Sequence, residues 1–109
     1  MPVISDSVSV AANARSGNVL AGSIFEFMPM DGLVNLLATG SAAGLRMDSN
    51  IAGGVIAQNA LIPATNRFPI KPDDSVVISG AAAGSRLFLE FVNTTGGALT
   101  AQWLVEIAG

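Results

Sequence analysis

The carboxylates are the side chains here whose pairing could carry acid–base chemistry. The 109-residue chain has no His, Cys or Tyr. That removes the commonest general base, the thiol nucleophile and the phenolic acid. A Ser-His-Asp triad and a His or Cys zinc site are both impossible. Paired carboxylates could still serve glycoside hydrolysis. Asp73-Asp74 is the only adjacent acidic pair, and it follows Pro72 at the entrance of a strand. Asp in such a place accepts backbone N–H bonds in a solvated turn. A calcium site from Asp73, Asp74 and loop carbonyls is the lesser alternative, since hard cations take oxygen ligands. Glu26, Glu90 and Glu106 each lie inside an apolar run. Buried, they could be functional. The simpler expectation is that they mark the outward strand face or pair with Arg86 or Arg46 across strands.

Three other features could bind something. Asn93-Thr94-Thr95 fits a glycosylation sequon. No charged segment precedes an apolar one at the start of the chain, so no secretory signal is expected and the sequon reads as turn chemistry. Trp103 could stack on a sugar. With no Tyr to complete a platform, it is expected in the core. Gly53-Gly54 and Gly96-Gly97 lead into no Walker pattern, so neither is a phosphate loop. No catalytic residue, cofactor or metal is expected, and the chain is not expected to be an enzyme.

The elements around these residues are short and β-type. Val3 to Val10 puts Ser5, Ser7 and Ser9 on one face and Val8 and Val10 on the other, as a first strand or an extended arm over residues 1–10. Val19 to Met28 reads as a strand with Phe25 and Phe27 on one face. Pro29-Met30-Asp31-Gly32 is a turn. Leu33 to Thr39 is a strand or a short helix, and the surrounding pattern favours strand. After the small-residue loop 40–44, Leu45 to Asp48 is expected to pair back on it. Ser49-Asn50 reads as a turn, and Ile51 to Ala57 as a strand weakened by Gly53-Gly54. Pro63, Pro69 and Pro72 make Leu61 to Asp74 a long ordered loop or an edge. Ser75 to Ser79 is a strand, and 80–84 is a second small-residue loop. Arg86 to Val92 and Leu99 to Ala108 alternate cleanly about Asn93–Gly97, which predicts an antiparallel hairpin.

About eight short strands with regular turns predict one all-β domain over 1–109: an antiparallel sandwich or barrel, jelly-roll-like. Composition suggests how it works. Charged residues make up 12%, against roughly 25% in ordinary domains, and hydrophobic residues 50%. A lone monomer needs more charge to stay soluble. The expectation is that neighbouring subunits cover part of the surface. Net charge is −3, and Arg15, Arg46, Arg67, Lys71 and Arg86 are scattered, so no nucleic-acid patch is expected. The uncharged stretch from Ser49 to Asn66 contains Asn50, Gln58, Asn59 and Pro63, which argues against a membrane span.

An arm, short apolar strands, the run Arg67-Phe68-Pro69-Ile70-Lys71-Pro72-Asp73-Asp74-Ser75-Val76-Val77-Ile78 and the closing run Arg86-Leu87-Phe88-Leu89-Glu90-Phe91-Val92-Asn93-Thr94-Thr95-Gly96-Gly97 come together in one style. The chain resembles small bacteriophage virion proteins, especially head decoration (cement) proteins and small jelly-roll coat proteins. The resemblance implies a virion location and a homo-oligomer, a trimer by that likeness, seated among capsid protein subunits. It also implies an arm that reaches a neighbour. Low charge departs from the more polar exterior of many decoration proteins, which leaves shell and cement roles both open. Interface contacts are expected in the arm, the Pro-rich loop Leu61 to Asp74 and the two small-residue loops 40–44 and 80–84, with Val3, Ile4, Val8, Val10, Ile62, Phe68 and Ile70 foremost. The competing reading is a carbohydrate- or receptor-binding sandwich at a fibre or spike tip, which requires Trp103 exposed beside Asn or Asp side chains.

Overall fold

Side chains that alternate between apolar and polar cannot bury one face in a lone strand, so the strands here stack as two sheets with their apolar faces together. The computed structural model describes residues 3–65, 68–69 and 74–108. Its seven strands are β1 (Val3–Val10), β2 (Gly32–Gly40), β3 (Leu45–Ile51), β4 (Gly54–Leu61), β5 (Ser75–Ala81), β6 (Leu87–Asn93) and β7 (Leu99–Ala108). Among the described residues there is no helix. One sheet has the order β1-β7-β2-β5 and the other β4-β3-β6, with every pairing antiparallel. The all-β sandwich is thus present.

The core lies between the sheets. Val34, Leu36, Ala101, Trp103, Val105 and Ile107 from the first sheet meet Leu45, Met47, Leu87, Leu89 and Phe91 from the second. Each large side chain hidden this way stabilises the fold by about 1.5–3 kcal/mol. Trp103 is 3% exposed and belongs to this core.

Several expected pairings are corrected. β6 and β7 are not a hairpin: they lie in different sheets, and residues 94–98 arch between them. β2 and β3 likewise belong to different sheets, joined by the arch 41–44. Both strands of each pair carry an apolar face, and facing one another across the core buries both. The two arches pack together. Thr94 donates through both its amide (3.1 Å) and its hydroxyl (2.7 Å) to the Gly44 carbonyl, and Ser41 and Thr100 exchange two further bonds. The true hairpin is β3–β4. Its turn is Ala52-Gly53, both at positive φ (51° and 85°), whereas Ser49 and Asn50, expected as the turn, lie within β3. Two positive φ angles are the mark of the type I′ turn, whose twist suits flanking strands.

The eighth expected strand, Val19 to Met28, is an irregular strap instead. Isolated bridges join Arg15 to Val92 and Phe27 to Arg86, so twelve steps of strap run beside six of β6. A chain with twice the residues of its neighbour cannot keep ladder register. It bulges through Gly17 and Gly22, both at positive φ, and pairs with β6 partly through side chains. Ser16 Oγ accepts from Phe91 N (2.9 Å), and Asn18 Oδ1 accepts from Leu89 N (3.1 Å). Leu20, Phe25 and Met28 plug into the core. The expected arm is, over Val3–Val10, an edge strand in regular register with β7 of its own chain. The β4–β5 connection is pinned along β2, where Ala38 N donates to the Asp74 carbonyl and Gly40 N to that of Pro63.

Candidate interaction surfaces

The outward face of the β1-β7-β2-β5 sheet is built by register. Val3 pairs with Glu106, Glu106 with Asn35, and Asn35 with Ile78, which makes one transverse row across all four strands. Leu33 sits one row away, opposite Ala108 and Gly80. Val3, Leu33 and Ile78 are about half exposed or more (47%, 52% and 60%). They flank Asn35, whose buried Oδ1 lacks a hydrogen-bond partner. Apolar side chains thus frame a polar centre.

The outward face of the second sheet repeats that theme with charge at its middle. Leu61–Arg46–Val92 forms one row and Val55–Asn50–Phe88 another. Val55 and Leu61 are strongly exposed. Between the two rows Asp48 stands directly opposite Glu90. Like charges so placed repel. Arg15 reaches over from the strap and donates to Glu90 Oε1 (2.7 Å) and Asp48 Oδ2 (2.9 Å). The hydrogen bond to Glu90, then that to Asp48, holds the Arg15 guanidinium above its ordinary pKa. Asp48 Oδ1 also accepts from Asn59 N, which ties β4 to the same cluster.

The residues expected at an interface separate into three groups. Val3 and Phe68 are exposed. Ile4 and Val8 are half-buried against the core, and Val10 and Ile62 are buried in it. Ile70 lies outside the described residues. The structure brings Val3, Ile4, Val8 and Val10 together on one strand, with Val3 on the outward face and the other three inward. Ile24, Phe27, Leu33, Val55, Leu61 and Ile78 are exposed apolar residues that the sequence reading did not single out. Within strands, alternation marks two faces but not which one is inward, and that hid Leu33, Val55 and Ile78; Leu61, expected at the start of the Pro-rich loop, instead ends β4.

The carboxylates find structural partners. Glu26 Oε2 faces Arg86 at 3.4 Å, as expected, while Glu90 pairs with Arg15 rather than Arg86 or Arg46. Asp74 is buried, and Asp73 lies outside the described residues. Asn93 of the sequon is 1% exposed and its amide is spent on backbone carbonyls, so the turn reading fits it. Among the described residues there is no pocket and no group of three or more metal-ligating side chains. No helix among them is long and apolar enough to cross a membrane. No protein-family model matches the chain, and no curated protein matches it.

Proposed function

We propose that this chain is a structural subunit of an assembly, a virion component that holds its neighbours by burying apolar surface, with no catalytic role. One observation carries the reading: a chain with 12% charged residues places Val3, Leu33, Ile78, Val55 and Leu61 on the outward faces of both its sheets. Neighbouring exposed apolar side chains on one face, such as the diagonal pair Leu33 and Ile78, are what a site of association offers.

The strap supports the jelly-roll form of this reading. Counted as a second segment beside β6, it raises the segments to eight, with orders 1-8-3-6 and 5-4-7-2. That is how a double-sheet jelly roll winds. The architecture serves viral capsid and lectin domains alike, so it narrows function only in combination with the surface. The resemblance to phage decoration and coat proteins adds the capsid as the setting and a trimer as the expected stoichiometry. A sugar site on Trp103 draws no support from its position in the core.

Size-exclusion chromatography with light scattering on the purified chain tests the association step. An oligomer at micromolar concentration is expected, and a stable monomer would sink the proposal. Mass spectrometry of purified particles then tests the setting, through the presence and copy number of this chain.

A further inference from the structure

The strap along the outer edge of β6 has two unlike halves. Residues 20–28 are anchored by Leu20, Phe25 and Met28, all buried in the core. Residues 11–19 contribute no buried side chain. Val19 packs half-buried against the core, and the rest of their hold on β6 is polar. Asn93 N donates to the Ala14 carbonyl (2.9 Å), Phe91 N to Ser16 Oγ (2.9 Å) and Leu89 N to Asn18 Oδ1 (3.1 Å). Ser16 N and Val19 N donate back to the carbonyls of Phe91 and Leu89. The one side chain of this half that reaches across the sheet is Arg15, whose two partners are the opposed Asp48 and Glu90.

We propose that residues 11–19 form a separately opening cover over the outer edge of β6, latched by the Arg15–Asp48–Glu90 cluster and released by salt while the sandwich stays folded. Lifting this half frees no fully buried side chain and loses only the half-buried Val19 contact, whereas lifting 20–28 would expose three. Local opening follows such differences in apolar anchoring. The Arg15 side chain is 61% exposed, while those of Asp48 and Glu90 are 23% and 14% exposed, so ions reach the latch from the Arg15 side and screen it in part. Opening leaves unpaired N–H and C=O groups along Leu89, Phe91 and Asn93. Such an edge pairs readily with another strand, and the cover is what prevents that.

The hydrogen-bond pattern supplies its own controls. Leu87 N donates to the Glu26 carbonyl, in the anchored half. Backbone N–H groups alternate in direction along a strand, so those of Phe88, Glu90 and Val92 face β3. Amide hydrogen exchange by NMR on the full chain reads each separately. In Arg15→Ala, the amides of Leu89, Phe91 and Asn93 are expected to exchange about three- to tenfold faster, the range that two partly exposed ion pairs allow. Leu87, Phe88, Glu90 and Val92 should keep their rates, and Arg15→Lys should restore most of the protection. Raising salt from about 0.05 to about 1 M, where the screening length falls to ~3 Å, should accelerate the same three amides in the unmodified chain but not in Arg15→Ala. If Leu87 or the β3-facing amides accelerate together with the three, or if none responds, the cover does not open as a unit and the proposal fails. The salt series needs no variant, so it decides the matter even if Arg15→Ala does not fold.

Discussion

Asn93 Nδ2 donates to the carbonyl of Val10 at 3.0 Å, fastening the end of β6 in one sheet to the end of β1 in the other. The same amide nitrogen also reaches the Gly97 carbonyl at 2.7 Å, and Oδ1 accepts from Thr95 N and Thr95 Oγ1. One fully buried side chain therefore sets the arch that sends β7 across the core. Asn93→Ala leaves the Val10 carbonyl without its donor and removes all four bonds. Unmade buried bonds of this kind cost about 1–3 kcal/mol per orphaned group, so a loss of roughly 2–4 kcal/mol in urea unfolding is expected. Asn93→Asp keeps the acceptor but loses the donor and should be similarly destabilised. A loss below about 1 kcal/mol would mean that water replaces the side chain and that Asn93 does not set the arch.

The second arch tests the same junction from its other side. Gly44 has φ +117°, and a Cβ there would overlap Thr95 Cγ2. Gly44→Ala combines backbone strain of about 1–3 kcal/mol with that collision. Thr95→Ser removes the methyl and keeps the hydroxyl that bonds Asn93. The double variant should be more stable than the two single losses predict when added, because the collision disappears with the methyl. Strict additivity in a double-mutant cycle would show that the arches do not touch through these two residues.

Individual strands were legible from the residues, whereas their partners were not. Leu87, Leu89 and Phe91, like Trp103, Val105 and Ile107, alternate so regularly that each run had to be a strand with one buried face. Alternation says nothing about which strand lies alongside. A hairpin and an arch differ only in a few torsions around Asn93–Ala98, and the Asn side chain that decides between them bonds to Val10, 83 residues away in sequence. The strap failed for a different reason. Phe25 and Phe27 satisfy period two, yet Phe25 is buried and Phe27 is 52% exposed. Successive turns, with Ser23 N bonded to the Leu20 carbonyl and Glu26 N to that of Ser23, replace a ladder there, and the buried positions Leu20, Phe25 and Met28 follow no regular period. The proposed association surface was legible as a deficit of charge and, at Val3, as an expected interface position. Locating it required the register that lines up Val3, Glu106, Asn35 and Ile78.

The β3–β4 turn should be open to improvement. Ala52 holds φ 51°, a left-handed conformation that costs an L-residue with a Cβ about 1–2 kcal/mol. Asn and Gly are the residues a type I′ turn favours at this position. Ala52 is exposed, so a change there disturbs no packing. Ala52→Asn and Ala52→Gly should each stabilise the chain by about 0.5–1 kcal/mol, with Gly limited by the extra freedom it gives the unfolded chain. A rise of a few degrees in the thermal midpoint is the readout. An unchanged or lower midpoint would imply that the turn is not type I′ in solution.

The association reading makes its own demand on Leu33 and Ile78. They are diagonal neighbours on the outward face, since Leu33 pairs with Gly80 and Ile78 with Asn35. Both side chains are more than half exposed, so neither contributes much to the core of its own chain. Substituting each by Ser should change the stability of the isolated fold by no more than about 0.5 kcal/mol. If the face is buried between subunits, the same two changes remove a central apolar contact and should weaken self-association by tenfold or more, which corresponds to about 1.4 kcal/mol. Light scattering over a dilution series separates the two quantities, with urea unfolding of the dilute protein as the control. The paired change Val55→Ser and Leu61→Ser asks the same of the opposite face. Loss of assembly from one pair alone identifies the buried face. Undiminished assembly in both pairs would contradict the reading that these apolar faces hold the subunits together.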